Sequence, residues 1–278
     1  MASVPSEGVA MAERLLLIRH AAVDAAYRGR LVGATDAPLD PAGLGDVRGL
    51  AATVRRWLPG APMENELRRG VTGGADLFRR SDLQSDPNRI MGGSANVLAS
   101  QRSDYKADLH AQSKLHAQSD RHCQSDLECY SSPMRRCRET AAAILGDRGV
   151  CIDPDLREID FGRWEGRTFA EAAAADPGIV ERWASFEPGF AFPGGESVGH
   201  FLERIDRAAD RLARQEARTV LAVTHGGVIR AMICHLLGLD ARKYVAFDVP
   251  YGAMVVIDLF DGQGVLAVLE RPGTENDG

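Results

Sequence analysis

Two histidines stand in matching places, each directly after a short apolar run. The run Leu-Leu-Leu-Ile at 15–18 leads into Arg19-His20, and Val-Leu-Ala-Val at 220–223 leads into Thr224-His225-Gly226. Such runs predict strands buried on both faces, and sites in open α/β sheets lie just outside the carboxyl ends of strands. If the two strands are neighbours, one imidazole can attack a phosphorus atom while the other hydrogen-bonds to its oxygens. The alternative, that each histidine merely caps a loop, is weakened by the matching contexts.

Three arginines follow a predicted strand end and turn, at the start of a predicted helix. They are Arg135, Arg136 and Arg138, after the sequence Ser-Ser-Pro-Met at 131–134. Helix N-termini favour anions, and arginines there add bidentate donors to phosphate oxygens. The alternative is a solvated helix face, which is our interpretation of two of the three.

Three carboxylates lie close together among apolar and aromatic residues. They are Glu158, Asp160 and Glu165, with Phe161 and Trp164 between them. Apolar surroundings favour the protonated form of a carboxyl group and suit a general acid. Structural salt bridges are the alternative and account for at least one of the three.

The elements that must position these residues alternate between strands and helices. This order predicts an α/β fold, a single three-layer α/β/α domain with a mainly parallel central sheet, built from residues 14–61 and 129–270. The predicted strands are 15–18, one that begins at 129 and ends near 131, 150–152 and 219–224. The predicted helices are 40–58, 133–145, 169–183 (broken near 177), 198–212 and 226–237, and a terminal hairpin joins 254–259 with 265–269.

The segment 62–128 differs in composition from the rest of the chain. Ser, Asp, Gln, Arg and His replace aliphatic residues, and His-Ala-Gln-Ser stands at 110–113 and again at 116–119. Such a segment buries too little apolar surface to offset its ordering entropy, so we predict a low-complexity, disordered insertion. Without it, the chain has the usual size of one α/β domain. Residues 1–13 and 271–278 are predicted to be tails.

The same insertion contains the chain's best alternative for a metal site. His110, His116 and His122 with Cys123 include the right residue types. Their spacing of six puts them on no common helical face, and no rigid frame holds them. We therefore predict that the protein binds no metal.

Composition excludes several classes of function. The 278 residues carry a net charge of −6, which argues against a nucleic-acid binder. No apolar run approaches the length of a membrane span, and the first residues lack a signal-peptide pattern. The five cysteines form no CxxC pair and no recognisable disulfide framework. We predict a cytoplasmic protein whose partner is a small molecule, and leave the oligomeric state open, with a homodimer among the alternatives.

Taken in order, the motifs resemble those of the histidine phosphatase superfamily, also called phosphoglycerate-mutase-like. The resemblance covers about 14–60 and 129–270 and rests on five motifs in sequence: Arg19-His20 with Gly29, Gly33 and Pro38; Ser132-Pro133-Met134-Arg135-Arg136; Leu156-Arg157-Glu158 with Gly162-Arg163-Trp164-Glu165-Gly166; Pro193-Gly194-Gly195-Glu196-Ser197; and Thr224-His225-Gly226-Gly227.

The resemblance implies roles for three catalytic residues. His20 attacks phosphorus and forms a phosphohistidine, and it must be neutral, with its other ring nitrogen donating to an acceptor such as a backbone carbonyl. Glu158 protonates the leaving alcohol and then activates water. Asp160 is the alternative residue for this role. His225 donates to the phosphate oxygens as an imidazolium.

The resemblance also implies a phosphate site without a metal or cofactor. Arg19 and Arg136 hold the non-bridging oxygens, and Gly226 contributes at the start of its helix. The expected substrate is a small phosphomonoester.

The opening motif departs from the family's usual Arg-His-Gly-Glu and later Asn. Here Ala21, Ala22 and Val23 follow His20, which leaves open one phosphate or substrate contact. Similar openings occur in bacterial members that resemble α-ribazole phosphatase, so α-ribazole phosphate is a candidate substrate. A mutase is the alternative within the family, but no extra basic cluster follows Glu158, which favours hydrolysis. A phosphate-ligand binding protein without catalysis is the alternative of another class.

Overall fold

A six-stranded sheet forms the centre of the protein. The computed structural model describes residues 11–58, 126–185, 187, 189–260 and 263–271. The strands stand in the order β3-β2-β4-β1-β5-β6; the first four are parallel, and β5 and β6 run antiparallel at one edge. Their bounds are β1 Arg14–Arg19, β2 Leu127–Ser131, β3 Cys151–Ile152, β4 Thr219–Thr224, β5 Met254–Phe260 and β6 Gln263–Glu270.

Six α-helices cover the two faces of this sheet in the described part of the chain. Local signals set several of their ends: the Asp40 side chain accepts from the Ala42 N–H at the start of α1, and Pro177 begins α4 immediately after α3 ends. The helices are α1 Pro41–Trp57, α2 Arg135–Leu145, α3 Phe169–Ala175, α4 Pro177–Ala184, α5 Val198–Ala213 and α6 Gly226–Leu236, with 3-10 turns at Ala25–Tyr27, Pro154–Leu156, Gly162–Trp164 and Ala241–Ala246.

The hydrophobic core lies in two layers, one on each side of the sheet. Successive side chains of a strand point to opposite faces, so Leu15 and Leu17 of β1 join one layer and Leu16 and Ile18 the other. The first layer contains residues of α5 and α6, and the second contains residues of α1 and α2. The predicted three-layer α/β/α architecture with a mainly parallel sheet is confirmed.

Two boundaries differ from the predicted division of the chain. Ala12, expected in the tail, is buried, and its N–H donates to the Ala213 carbonyl at 3.2 Å. Strand β2 begins at Leu127, inside the range assigned to the insertion, because Leu127 is buried and pairs with Thr219. The rest of 62–128 up to residue 125, with its His/Cys set, lies outside the described residues, as do residues 1–10 and 272–278. The division into domain, insertion and tails remains a proposal.

The part of the chain that the structure describes contains neither a membrane-spanning helix nor a cluster of metal ligands. None of its helices has the length and hydrophobicity needed to cross a bilayer. No group of three or more His, Cys, Asp or Glu side chains in these ranges is arranged to hold a metal ion.

Candidate active site

Strands β1 and β4 bring the two histidines together at the carboxyl edge of the sheet. The strands are parallel neighbours in a register that pairs Arg19 with Thr224, and the His20 N–H donates to the Thr224 carbonyl at 2.9 Å. The rings of His20 and His225 therefore meet edge to face, with centroids 5.1 Å apart. Both histidines are buried, at 5% and 1% exposure.

One hydrogen bond fixes the tautomer of His20. Its Nδ1 lies 2.7 Å from the Ala21 carbonyl oxygen. A carbonyl can only accept, so Nδ1 carries the proton and Nε2 keeps its lone pair. Burial first, and then the charges of Arg19 and Arg136, lower the pKa of His20 well below its ordinary value. The ring is therefore neutral near pH 7, the state that a nucleophile needs.

His225 is held by two side chains from the segment around the start of α2. Its Nε2 lies 2.9 Å from the Ser132 hydroxyl oxygen and 3.4 Å from the Cys137 sulfur. Burial, and then the charge of Arg136, lower the pKa of His225 well below its ordinary value. The structure thus does not support the expected imidazolium in the unliganded protein; a phosphate dianion beside the ring would raise this pKa again.

Arg19 is oriented by backbone and by an aromatic ring. Its Nη1 donates to the Val249 carbonyl at 2.5 Å, and its guanidinium lies 4.0 Å from the centroid of the Tyr251 ring. Burial lowers the pKa of Arg19, although arginine remains protonated in proteins. Its buried Nε has no hydrogen-bond partner among the described residues.

Arg136 is completely buried and points into a loop that supplies carbonyl acceptors. Its Nη1 donates to the Thr35 carbonyl at 2.6 Å and its Nη2 to the Gly33 carbonyl at 2.9 Å, while its buried Nε is unpartnered within the described ranges. The other two arginines of the cluster are exposed, and Arg135 pairs with Glu139. The interpretation of two of the three as a solvated face is therefore correct.

The loop around Arg136 is held in turn by Glu165. The Glu165 carboxylate accepts from the N–H groups of Gly33, Ala34 and Thr35 and from the Thr35 hydroxyl, at 2.6–3.2 Å. Hydrogen bonds to an ionised carboxylate are about twice as strong as neutral ones. Glu165 thus has a structural role, but through hydrogen bonds to the backbone and a hydroxyl rather than through the predicted salt bridge.

Glu158 lies against the N-terminus of α6. Its Oε2 accepts from the Gly227 N–H at 2.9 Å and its Oε1 from the Ile159 N–H at 3.1 Å. The two glycines that open α6 make this approach possible, because a Cβ at Gly227 would collide with the Glu158 carboxylate and one at Gly226 would crowd the Arg19 guanidinium. Asp160, by contrast, accepts from the Gly162 N–H and closes a local turn.

These residues line one cleft with a volume of about 260 Å³. Arg19, His20, Arg136, Glu158 and Gly226 are in its wall, and His225 lies buried beside His20. The remainder of the wall is more varied, with apolar and aromatic side chains and two further arginines: Val23, Leu31, Val32, Ile159, Phe161, Trp183, Phe201, Tyr244, Tyr251, Arg30 and Arg230.

Sequence reasoning missed several residues of this cleft, among them Tyr251, Arg230 and Arg30. Tyr251 follows a Val-Pro pair in a loop and carries no motif of its own. Arg230 stands one helical turn after Gly226 and Gly227 in α6, so helical spacing could have placed it on the same face. Arg30 lies in the loop after β1, where no periodicity indicates direction.

The arrangement can bind a phosphoryl group and transfer it. Two arginines have Nε donors with no partner in the described part of the chain, a neutral imidazole presents a lone pair, and a carboxylate lies within the same cleft. A buried donor without a partner is rare in proteins and calls for an anion or water to satisfy it.

Comparison with known families agrees with this arrangement. The model of the histidine phosphatase superfamily (branch 1) matches residues 106–271, more than half of the chain. The chain belongs to the histidine phosphatase superfamily.

Similar proteins include several phosphatases. The chain is 31% identical over 150 residues to the adenosylcobalamin/alpha-ribazole phosphatase of Escherichia coli, covering 52% of this chain and 74% of that one. It is 42% identical over 120 residues to the bifunctional protein Rv2228c of Mycobacterium tuberculosis, covering 42% of this chain and 32% of that protein. The chain thus spans about a third of the length of that relative. A crystal structure of a putative alpha-ribazole-5'-P phosphatase from E. coli shares the fold, with a TM-score of 0.63, 23% identity and coverage of 94% and 97%.

Proposed function

We propose that this protein is a phosphomonoester hydrolase that acts through a phosphohistidine at His20. The observation that carries the proposal is the pair of buried, unpartnered Nε atoms of Arg19 and Arg136, within the described residues, beside a histidine whose tautomer is fixed. Two fixed cations with free donors are suited to the non-bridging oxygens of a phosphate. Family membership supports the same chemistry.

In the first step, Nε2 of His20 attacks the phosphorus atom. The nitrogen–phosphorus bond forms as the bond to the ester oxygen breaks, and Glu158 gives its proton to the leaving alkoxide. Arg19 and Arg136 offset the charge that develops on the phosphoryl oxygens. His225, beside His20, completes the pocket and donates to the same oxygens.

In the second step, water removes the phosphoryl group. Glu158, now ionised, takes a proton from the water as it attacks the phosphorus, and the bond to Nε2 breaks. Inorganic phosphate leaves and His20 returns to its neutral form. No step of this sequence requires a metal ion or a cofactor.

The substrate we propose is a small phosphorylated metabolite, with α-ribazole phosphate as the first candidate. The cleft wall also includes Phe161, Trp183 and Phe201, and aromatic side chains suit an apolar or aromatic leaving group. The name of one relative, the adenosylcobalamin/alpha-ribazole phosphatase of Escherichia coli, points the same way.

A phosphoglycerate-mutase-type transfer is the second candidate. No basic cluster follows Glu158 in the sequence, yet Arg30 and Arg230 line the cleft. Either could hold the carboxylate of a sugar acid. The third candidate, a binding protein without catalysis, would retain the phosphate site but not the turnover.

A substrate panel tests the proposal. It contains p-nitrophenyl phosphate, α-ribazole phosphate, phosphoserine and 3-phosphoglycerate, with phosphate release and mutase activity measured in parallel. We expect hydrolysis of the aryl ester and a higher kcat/KM for the best metabolite, both abolished in His20→Ala. Mutase turnover above all hydrolysis would favour the second candidate, and tight phosphate binding with no turnover would favour the third.

A cytoplasmic location and a small-molecule partner belong to the same proposal. Within the described residues, Cys129, Cys137, Cys151 and Cys234 form no disulfide, as is usual in a reducing compartment. Fractionation of the native host would test the location.

A further inference from the structure

A buried arginine of α5 binds the backbone of the segment that carries Glu158. Arg204 is 3% exposed, and its guanidinium makes five hydrogen bonds. Two go to both oxygens of the Glu196 carboxylate, at 2.7 and 2.8 Å. Three go to the carbonyls of Asp155 and Arg157 at 2.7 Å and of Glu158 at 3.1 Å.

These contacts fix the direction in which the Glu158 side chain leaves the backbone. The peptide units before and after Glu158 are each planar, and their carbonyls, those of Arg157 and Glu158, are both bound to Arg204. Contacts to both planes restrict the two backbone rotations at Glu158. The carboxylate is thereby directed to the Gly227 N–H, from which it accepts at 2.9 Å.

The partner of this arginine is attached to the same segment. Glu196 precedes α5, and its N–H donates to the Asp160 carbonyl at 3.0 Å, while the Arg163 N–H donates to the Pro193 carbonyl at 2.9 Å. The Pro-Gly-Gly-Glu turn therefore packs on the backbone that follows Glu158. The Arg204–Glu196 pair and the Pro-Gly-Gly-Glu turn thus both bind the backbone of residues 155–163.

Stability alone does not account for this arrangement. A buried ion pair gains little net free energy, because desolvation of both charges offsets their attraction. Three carbonyl contacts that converge on one short segment have instead a geometric consequence. A general acid must lie within about 2.6–3.2 Å of the oxygen it protonates, so small displacements matter.

We propose that Arg204, with Glu196 as its partner, is a positioning residue for the acid–base function of Glu158; this inference rests on the function proposed above. Arg204 touches no substrate and acts through the backbone. Its loss displaces the carboxylate and impairs proton delivery more than phosphate binding.

The test compares leaving groups in Arg204→Lys and Glu196→Gln. We measure kcat/KM, which reports the first chemical step, for p-nitrophenyl phosphate and for a simple alkyl phosphate. Only the alkoxide needs a proton, so we expect the alkyl ester to lose about tenfold or more beyond the aryl ester. The matched control is Arg211→Gln: Arg211 lies in α5 and pairs with Asp153 and Asp155 of the same region. Its aryl-to-alkyl ratio is expected to equal that of the wild type.

A double-mutant cycle separates positioning from folding. Circular dichroism and thermal unfolding identify the variants that fold, and Glu196→Gln keeps the side-chain volume if Arg204→Lys does not fold. In a Glu158→Gln background, the selective loss caused by either change is expected to vanish, because the group being positioned is absent.

Three results overturn the inference. One is an equal loss on both esters in the folded variants, and another is a selective loss that persists in the Glu158→Gln background; both leave the proposed function intact. The third is a Glu158→Gln variant with equal losses on both esters, which removes Glu158 from the acid role and the positioning role with it. The inference is supported if Arg204→Lys or Glu196→Gln lowers kcat/KM for the alkyl ester more than for the aryl ester, while the aryl-to-alkyl ratio of Arg211→Gln equals that of the wild type.

Discussion

Replacement of Glu165 by Gln tests how the phosphate-binding arginine is held. The Glu165 carboxylate accepts from Gly33, Ala34, Thr35 and Phe161, while the loop of the first three presents its carbonyls to Arg136. An amide keeps one acceptor oxygen and turns an NH₂ group toward donors. About two charge-assisted bonds are lost, and each contributes about 1.5 kcal/mol at a partly buried site. We expect the free energy of unfolding to fall by about 3 kcal/mol.

The same change should weaken phosphate binding, because the loop carbonyls no longer fix Arg136. We expect the inhibition constant for inorganic phosphate to rise about tenfold, equivalent to about 1.4 kcal/mol. Urea unfolding and competitive inhibition measure the two effects. Glu13→Gln is the control, since Glu13 forms a solvent-exposed pair with Arg218 before β1, where such pairs contribute little. The reasoning would be refuted if Glu165→Gln had an unfolding free energy within about 0.5 kcal/mol of wild type and an unchanged inhibition constant for phosphate.

Three further predictions concern other parts of the molecule. Hydrogen bonds to two aspartates of α5 raise the pKa of His235 to about 9. The protonated ring therefore stabilises the fold fully below pH 6.5, and this stabilisation is lost as the pH rises through 9. Urea titrations should show the free energy of unfolding falling by about 1–2 kcal/mol over this range, allowing for solvent screening, and no such fall in His235→Gln. Tyr251→Ala should raise KM about three- to thirtyfold, because Arg19 loses the ring it packs on, whereas Tyr251→Phe keeps the ring and should have a KM near that of wild type. Equal KM values for Tyr251→Ala and wild type would show that the ring does not help to orient Arg19. Replacement of 63–125 by a short Gly-Ser linker that ends before Leu127 should leave a folded, active protein, since loop closure depends weakly on length; loss of folding would place that segment in the core.

The fold was predictable because its signals are local. Continuous apolar runs identified β1 and β4, Asp40-Pro41 identified the start of α1, and Pro177 identified the break that separates α3 from α4. The boundary at Leu127 was missed because the strand is short and its first residues, Leu-Glu, resemble the polar sequence before them. Only pairing with Thr219 in β4 defines its start.

The cleft was predictable only where its residues belong to motifs. The geometry brings together the residues named from sequence, but Tyr251 and Arg230 enter it from the loop before β5 and from the second turn of α6. The lowered pKa of His225 was not predictable either, because burial and the field of Arg136 depend on contacts between distant segments. Neither effect can be read from spacing along the chain.

Trapping of the covalent intermediate tests the central claim most directly. In Glu158→Gln, p-nitrophenyl phosphate can still phosphorylate the enzyme because its leaving group needs no proton, whereas removal of the phosphoryl group by water is slowed. Rapid alkaline quenching and peptide mass spectrometry should find close to one phosphate per chain, on Nε2 of His20 alone. Phosphate on any other residue, or turnover without a covalent phosphate together with full activity in His20→Ala, would contradict the account.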